Sequence, residues 1–409
     1  MRRSRVRFRP PQVASTPTLC WVLLRAFGPV PEEVEPQPAG LPPGEAIALA
    51  RELWLSARIA ARHGRVRLAA ELAAEDAAEF HQDRMAALAA ELGWLGQARQ
   101  LASVAAELGV GVVFLKFMAL CLTGRLAEGS RRASDLDVLV APAEATKLEA
   151  ALRDRGLAPL SGSAYEHHLP ALAAPLGGAI EIHTKVLGLR LGRRGASAEL
   201  VDLAQRGLLE RVHELPGACY VPVPAVLTAH ALVHGLAQHG FAPHSYPMLR
   251  LLADLADLDF GLDRPLPEEI RAALLRDLPL GELQAAAALV SQLVEGDLAP
   301  LGESPHASGE AALLHHLLAG ALDPDYRASL RLRMLWHPLS DRGAVRAVAG
   351  SLSRALFPST EELASIYGSS EGRVPSAARR LLRPFDLTRR AARYARSFVR
   401  VARRREPEE

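Results

Sequence analysis

The chain has 409 residues, of which 49% are hydrophobic and 23% charged, and its formal net charge is +2 at pH 7. This length and this hydrophobic content exclude a disordered or peptide-sized protein and predict about two to three folded units. The three cysteines, Cys20, Cys121 and Cys219, lie far apart, which excludes a disulfide framework and a cysteine-rich zinc cluster. We therefore expect a folded protein from a reducing compartment.

The basic residues are concentrated at the two ends of the chain. Residues 1–10 contain five arginines and no acidic residue, and residues 373–409 contain twelve arginines and four acidic residues. Such ends are typical of weak contact with an anionic partner, nucleic acid or lipid, and a solvated tail is the alternative. The apolar run Leu19–Leu24 is stopped by Arg25, and no run reaches the ~18 apolar residues of a membrane span. We expect a cytoplasmic protein without a transmembrane segment.

The first 108 residues carry a mainly helical pattern. A short helix is predicted at residues 17–28, and the proline-rich stretch after it completes an N-terminal segment of residues 1–44. In residues 45–108 alanine, leucine and arginine dominate and proline is scarce, which predicts a helical region. Glycines predict breaks in this region near Gly64 and Gly93.

The pattern changes at residue 109. The β-branched run Val110–Lys116 predicts a buried strand, and the apolar run after Ser134 predicts a second one. With the helices between them, these strands predict a small mixed-sheet unit at residues 109–190. The predicted elements after the first strand are helix 118–127, strand 134–140, helix 143–155 and strands 165–171 and 179–185.

The remaining residues return to helical periodicity. Residues 191–372 predict a helical C-terminal region, and residues 373–409 predict a basic amphipathic tail whose helix, 376–405, is broken at Pro384. The predicted fold class is therefore α+β, a small mixed sheet flanked by helical N- and C-terminal regions. The helices predicted in the C-terminal region are 225–239, 246–258, 267–278, 281–294, 309–322 and 340–356.

Two carboxylates stand at the start of the second predicted strand. Asp135 and Asp137 are two residues apart, so both point to one side of the strand while Leu136 and Val138 face a core. Carboxylate pairs of this kind bind Mg²⁺ or Mn²⁺. The chain has two more such pairs, Asp257/Asp259 and Asp323/Asp325, and a solvent-facing strand start is the alternative interpretation.

Other polar residues are candidates for the same site. Glu181 and His183 share one face of the last predicted strand. Instead of a metal ligand, Glu181 could be an acid that discourages pairing at a sheet edge. His183 could steady Glu181 or a ligand, or simply be a half-buried histidine with its hydrogen bonds satisfied. Lys116 ends a buried strand, where its charge needs a partner, either a phosphate or one of the aspartates. Arg131 or Arg132 is a candidate for bidentate hydrogen bonds to a phosphate, with a surface arginine as the alternative.

The segment Phe114–Leu120, the run Gly129–Val140 and the pair Glu181 and His183 together resemble the uncharacterised nucleotidyltransferase family of the DNA-polymerase-β-like superfamily. The His-rich run at Ala229–His239 and the run Leu251–Ala256 are similar to the family's His-rich helix and the Asp-bearing helix after it. The segment Phe357–Ser359 and the arginine-rich tail also look like family features. The resemblance implies a nucleotidyltransferase core that transfers a nucleoside monophosphate from an NTP to an acceptor, with pyrophosphate leaving. A small molecule, an RNA end and a protein hydroxyl are all compatible acceptors.

The family pattern also implies roles for individual residues. Asp135, Asp137 and Glu181 would hold the metal ions, Mg²⁺ or Mn²⁺, and Glu181 is a candidate to accept the acceptor's proton. The residues implied at the nucleotide are Lys116, Ser130, Arg131 and Ser134.

One residue departs from that pattern, because Phe117 stands where the family has glycine, and a bulky side chain there is expected to obstruct a phosphate. Gly129-Ser130 resembles a substitute phosphate loop, but Ser130 lies too close to Asp135 for a helix to intervene. A catalytically degenerate accessory or binding protein is therefore an alternative.

A third interpretation uses the histidines of the C-terminal region. His230 and His234 are spaced i, i+4 and so lie on one helix face, with His239 and Asp254 as candidate neighbours. A His/Asp metal-dependent phosphohydrolase uses such ligands, although no adjacent His-Asp pair occurs in the chain. A helix-packing face that borders the cleft is the alternative.

Overall fold

The computed structural model describes residues 12, 15–30, 39–160, 167–238, 248–261, 265–328 and 376–403. Within them a six-stranded mixed sheet is flanked by helices from both ends of the chain, so the predicted α+β fold class is confirmed. Elements are numbered below along the described residues. Two predictions fall on residues outside this described part of the chain: the helix at 340–356 and the placement of His239 beside His230 and His234.

The N-terminal helices largely follow the predicted pattern. The side chain of Thr16 accepts a hydrogen bond from the Leu19 amide and caps the first helix. Gly64 has a φ of 68° and kinks the third helix, as predicted. The break predicted at Gly93 is wrong, because the fourth helix continues through it and buries one side against the sheet. The helices are α1 (Pro17–Phe27), α2 (Glu45–Glu52), α3 (Ser56–Glu71) and α4 (Ala74–Leu108).

The sheet has the spatial order β3-β4-β2-β1-β6-β5. Its centre is mixed, because β2 pairs parallel to β4 and antiparallel to β1, while β1 pairs parallel to β6. Both outer strands pair antiparallel to their neighbours. The strands are β1 (Val112–Phe114), β2 (Asp135–Val140), β3 (Leu172–Ala173), β4 (Ala179–His183), β5 (Leu209–Arg211) and β6 (Cys219–Pro222).

Alternate residues of the central strands enter two hydrophobic cores. Leu136 and Val138 are fully buried on the face covered by α4 and by the helix that follows β2, as predicted. Leu139 lies on the opposite face, in the larger core formed with the N- and C-terminal helices. Asp137 also belongs to this second face, so the carboxylates lie where the sheet meets the C-terminal helices.

Three predictions in the sheet region are wrong. Lys116 does not end a strand but begins helix α5 (Lys116–Leu122), with a φ of 48°. The helix predicted at 118–127 therefore begins two residues earlier, and it ends before Gly124, which has a φ of 64°. The predicted strand 165–171 is not formed in its described part, because Pro170 has no N–H for a ladder, and the strand begins at Leu172. The sequence analysis also did not predict β5 and β6.

The C-terminal helices lie close to their predicted positions. The helix predicted at 225–239 changes after Leu232 into a π-helical turn, Val233–Gln238. The break predicted at Pro384 is wrong, because the last helix continues through this exposed proline. None of the described helices is both long and apolar enough to cross a membrane. The remaining helices are α6 (Pro142–Asp154), α7 (Leu200–Gln205), α8 (Pro224–Leu232), α9 (Met248–Asp257), α10 (Glu268–Leu274), α11 (Leu280–Glu295), α12 (Ala299–Gly302), α13 (Gly309–Leu322) and α14 (Ser376–Arg403).

Candidate functional site

The parallel pairing of β2 and β4 brings the predicted carboxylates together. Asp137 lies directly opposite Glu181 in the ladder, and Asp135 lies two residues before Asp137 on the same face of β2. Asp137 is buried, whereas 26% of the Glu181 side chain is exposed. The strand register therefore places three carboxylates side by side at one end of the sheet.

One oxygen of Asp137 accepts two hydrogen bonds. Nζ of Lys116 lies 2.7 Å from Oδ1 of Asp137, and Nε2 of His183 lies 2.8 Å from the same atom. His183 also approaches Glu181, with 3.5 Å between its Nε2 and Oε2 of the glutamate. Among the described residues, no group donates to Oδ2 of Asp137. Oδ1 is thus held by the protein, and Oδ2 remains for a ligand.

Neighbouring charges keep Asp137 ionised. Burial acts to raise the pKa of Asp137, but the Lys116 ammonium and the His183 hydrogen bond outweigh it and hold the pKa far below its usual range. Burial also opposes the charged form of Lys116, yet the nearby carboxylates raise its pKa. The pKa of His183 is raised as well, because its hydrogen bonds to the two acids outweigh burial.

The other two carboxylates differ in their electrostatic environment. Burial raises the pKa of Asp135, and the charge of Asp137 adds to this effect. Burial acts in the same direction on Glu181, but the hydrogen bond with His183 prevails and lowers the pKa of Glu181. Three acids therefore share one site with unequal proton affinities, which is typical of a site for cations or proton transfer.

The structure places Phe117 on the side of the sheet opposite the three carboxylates. Its side chain is only 3% exposed and lies in the core on the face of α4. The left-handed backbone at Lys116 turns the chain so that residue 117 points inward. The guanidinium of Arg131 lies 5.6 Å from the centre of the Phe117 ring, so the phenylalanine supports an arginine of the site.

A small cavity of about 30 Å³ lies beside the carboxylates, between α5, α8 and α9. Lys116 connects the cavity to the carboxylate cluster, since it lines the cavity and pairs with Asp137. Arg131 lines it too, with its Nη1 2.5 Å from Oδ1 of Asp254. The residues that line the cavity are Lys116, Leu120, Arg131, Leu227, His230, Ala231, His234, Asp254 and Leu258.

The serines predicted at the nucleotide lie outside this lining. Ser134 is exposed, and its Oγ is 3.3 Å from Oδ1 of Asp135. Ser130 is buried, and the preceding Gly129 donates its N–H to Glu91 of α4. The Gly129-Ser130 turn is thus tied to α4.

The two cavity histidines pack against each other, with ring centres 5.9 Å apart for His230 and His234. Burial lowers the pKa of His230 to about 3, so this ring is neutral at pH 7. Among the described residues, His230, His234 and Asp254 do not form a ligand group, while Asp137, Glu181 and His183 do, with ligand atoms within 4.8 Å of one another. The cavity geometry does not favour the phosphohydrolase.

A family model described as an uncharacterised nucleotidyltransferase matches residues 41–295. This span covers more than half of the chain and includes all six strands. The chain belongs to this family. No curated protein and no solved structure matches it. The family resemblance inferred from the motifs is thereby confirmed.

Members of a nucleotidyltransferase family are expected to use divalent metal ions, and the donor atoms of this chain fit such ions. Asp137 offers Oδ2, and Asp135 and Glu181 add oxygens from the same face, a donor set that suits Mg²⁺ or Mn²⁺. His183 is close enough to be a ligand, but its Nε2 is directed at Asp137. His183 therefore lies behind the carboxylates and contacts both Asp137 and Glu181.

The candidate site also contains residues that the sequence motifs did not single out. The rings of His167 and His168 lie 5.7 Å and 5.4 Å from the ring of His183. Burial lowers the pKa of His167 to about 2, so His167 adds no positive charge to the site at pH 7. The adjacent His-His pair near the Glu181-Ile182-His183 strand was the signal in the sequence.

Proposed function

We propose that this protein is a metal-dependent nucleotidyltransferase that moves a nucleoside monophosphate from an NTP to an acceptor, with release of pyrophosphate. The observation that carries this proposal is the placement of Asp135, Asp137 and Glu181 on one face of two adjacent parallel strands. In-line displacement at phosphorus needs charge neutralisation and positioning more than covalent chemistry, and grouped carboxylates provide both through bound cations.

Each residue has a role in this proposal. Asp135, Asp137 and Glu181 hold the ions, Mg²⁺ or Mn²⁺, which when bound would neutralise charge on the reacting phosphates. Glu181 is partly exposed, and its oxygens can also accept the proton of the attacking hydroxyl. The residues that we assign to the nucleotide are Lys116, Ser130, Arg131 and Ser134.

Two residues prepare Asp137 for this role. Lys116 and His183 hold Oδ1 of Asp137, which fixes the direction of Oδ2. Because both donors favour the ionised acid, the carboxylate needs no proton release before it binds a cation. The site is thus organised before a ligand arrives.

The contact between Lys116 and Asp137 also favours an alternative function, a catalytically degenerate accessory or binding protein. The Lys116 ammonium already neutralises part of the charge of the three acids. A fold can keep such an internal counter-ion after it has lost turnover. The two proposals differ in whether NTP is consumed, which is directly measurable.

The decisive experiment incubates the full chain with α-labelled NTPs, Mg²⁺ or Mn²⁺ and candidate acceptors, and measures labelled product and pyrophosphate. The double variant Asp135→Asn with Asp137→Asn is expected to lower the rate by about a hundredfold or more, because it removes ligands of the reacting phosphates' counter-ions. Asp154→Asn is the matched control, since Asp154 is an exposed acid at the end of α6.

Three outcomes separate the proposals. Loss of product in the double variant, with Asp154→Asn active, supports nucleotidyl transfer. NTP binding with no product under any condition supports the accessory protein. Activity that survives the double variant but is lost in His234→Ala would contradict both and favour the phosphohydrolase.

We also propose that the protein works in the cytoplasm. Cys20, Cys121 and Cys219 are all unpaired thiols, as expected in a reducing compartment. Burial raises the pKa of the Cys121 thiol to about 12, so this thiol is unreactive.

A further inference from the structure

Arg131 has hydrogen-bonding capacity that the protein does not use. Its side chain is only 9% exposed, yet its Nε makes no hydrogen bond to any described residue. Among the described residues, the guanidinium donates from Nη1 to the carboxylate of Asp254. A buried donor without an acceptor costs free energy, so such groups commonly mark the place of a ligand.

The position of this donor defines the kind of ligand. Arg131 lines the cavity together with Lys116, and Lys116 also contacts the carboxylate of Asp137. The cavity thus lies next to the metal-binding carboxylates and has two cationic side chains in its wall. The guanidinium carbon lies 5.6 Å from the centre of the Phe117 ring, so the ring packs beside this cation. The planar fork of a guanidinium suits the oxygens of a phosphate.

Asp254 occupies the place where such an anion would bind. Its carboxylate is the one acid in the cavity wall, and it contacts Arg131 from α9 across 123 residues of sequence. Carboxylate and phosphate oxygens make equivalent contacts with a guanidinium. The volume of about 30 Å³ equals only about two water molecules, so a phosphate must displace the carboxylate to enter fully.

We infer that the cavity binds the pyrophosphate end of the NTP through Arg131, and that Asp254 is an internal competitor which a phosphate displaces from the guanidinium. This inference rests on the proposed function for the identity of its ligand. To the proposed function this inference adds a subsite for the pyrophosphate leaving group, and it assigns Asp254 as the residue that weakens pyrophosphate binding there. Release of pyrophosphate is then assisted by the return of Asp254 to Arg131.

The test measures binding of inorganic pyrophosphate to the full chain by calorimetry, at low ionic strength and with EDTA, so that bound metal does not contribute. Arg131→Gln is expected to weaken binding about tenfold or more, because it removes a charged donor. Arg131→Lys keeps the charge but loses the planar fork, and an intermediate affinity is expected. Arg99→Gln is the control, an exposed arginine on α4.

The variant Asp254→Asn distinguishes competition from a structural role. If Asp254 competes with phosphate, its neutralisation is expected to tighten pyrophosphate binding about threefold or more. If the pair only holds α9 against the sheet, Arg131→Gln and Asp254→Asn will weaken binding alike, and the inference is overturned. Thermal unfolding of each variant shows whether the fold is intact, and Arg131→Lys serves if Arg131→Gln does not fold.

The remaining outcomes also decide the question. Wild-type protein that binds no pyrophosphate at millimolar concentration, or variants that bind it unchanged, would overturn the inference. Arg131-dependent pyrophosphate binding without any nucleotidyl transfer would support this inference and contradict the proposed function. Nucleotidyl transfer that depends on Asp135 and Asp137, with an unchanged KM for NTP in Arg131→Gln, would support the proposed function and contradict this inference.

Discussion

At the scale of single residues, the site depends on how two donors share Oδ1 of Asp137. The sequence left two partners open for Lys116, a phosphate or an aspartate, and the structure shows the aspartate. An unpaired buried ammonium is costly, so the pair forms with or without a nucleotide. In the proposed mechanism Lys116 would therefore orient Asp137 for a metal ion, and it would contact phosphate only where it lines the cavity.

Another histidine, His63 in α3, makes the stability of the protein depend on pH. Its Nε2 lies 2.9 Å from the carbonyl oxygen of Arg25, and its Nδ1 is buried with no hydrogen-bond partner among the described residues. Burial lowers its pKa from 6.5 to about 4. Between these values the unfolded chain binds a proton at His63 that the folded chain does not, so the contribution of His63 to stability is expected to be complete above about pH 6.5 and to fall toward pH 4.

We predict that His63→Gln, which cannot titrate, loses less stability on acidification than the wild type. The expected difference between pH 7 and pH 5 is about 2 kcal/mol, measured by urea unfolding at each pH. His306→Gln is the control, because His306 is exposed. Parallel pH curves for the wild type and His63→Gln would contradict the prediction.

At the scale of elements, α4 shows how tertiary packing overrides local propensity. Two glycines in its middle, Gly93 and Gly96, weaken it by about 1 kcal/mol each relative to alanine. The helix nevertheless spans Ala74–Leu108, because Trp94, Leu101 and other residues of one side are buried against the sheet. Local sequence favoured a break at Gly93, and burial prevented it.

We predict that Gly96→Ala stabilises the protein by about 0.5–1 kcal/mol, because alanine loses less backbone entropy in a helix. Gly96 is exposed, and an added Cβ would meet no atom within 4 Å. Gly129→Ala is the opposing control: its φ is 68° and its Cβ would lie 2.9 Å from the Arg84 carbonyl oxygen, so destabilisation is expected. Unfolding in urea measures both, and a destabilised Gly96→Ala would refute the argument.

The sequence predicted those elements whose information is local. The strands β1 and β2 were found from their apolar runs, β4 from its alternation of apolar and polar residues, and the carboxylates because they share a strand face. β5 and β6 were missed, since β6 has four residues, ends at Pro222 and pairs with β1 from more than a hundred residues away. The pairing of Arg131 with Asp254 was missed for the same reason, because no local pattern encodes it.

At the scale of the whole molecule, α9 connects the sheet region to the N-terminal helices. Asp254 pairs with Arg131 of the loop before β2, and Asp257, one turn later, pairs with Arg58 of α3. Both pairs are largely buried and join segments far apart in sequence. Because Asp254 of α9 forms part of the cavity wall, with α5 and α8, a shift of α9 is expected to change the cavity.

The two acids of the Asp257/Asp259 pair allow a matched test of this connection. Nη1 of Arg58 lies 2.7 Å from both oxygens of Asp257, its Nε donates to the Ala26 carbonyl, and both side chains are mostly buried. Asp257→Asn leaves the arginine buried without its counter-ion, and we predict a loss of about 3 kcal/mol in the free energy of unfolding.

Asp259→Asn is the control, two residues away in the same motif. The Asp259 side chain is 54% exposed and lies 3.5 Å from Arg125, a weak surface contact. Its φ of 54° is in the left-handed region, which asparagine tolerates well. We expect a change within about 0.5 kcal/mol in urea unfolding. Equal effects of the two substitutions would show that α9 is held by its apolar face alone, and that the buried Arg58 pair does not fix its position over the site.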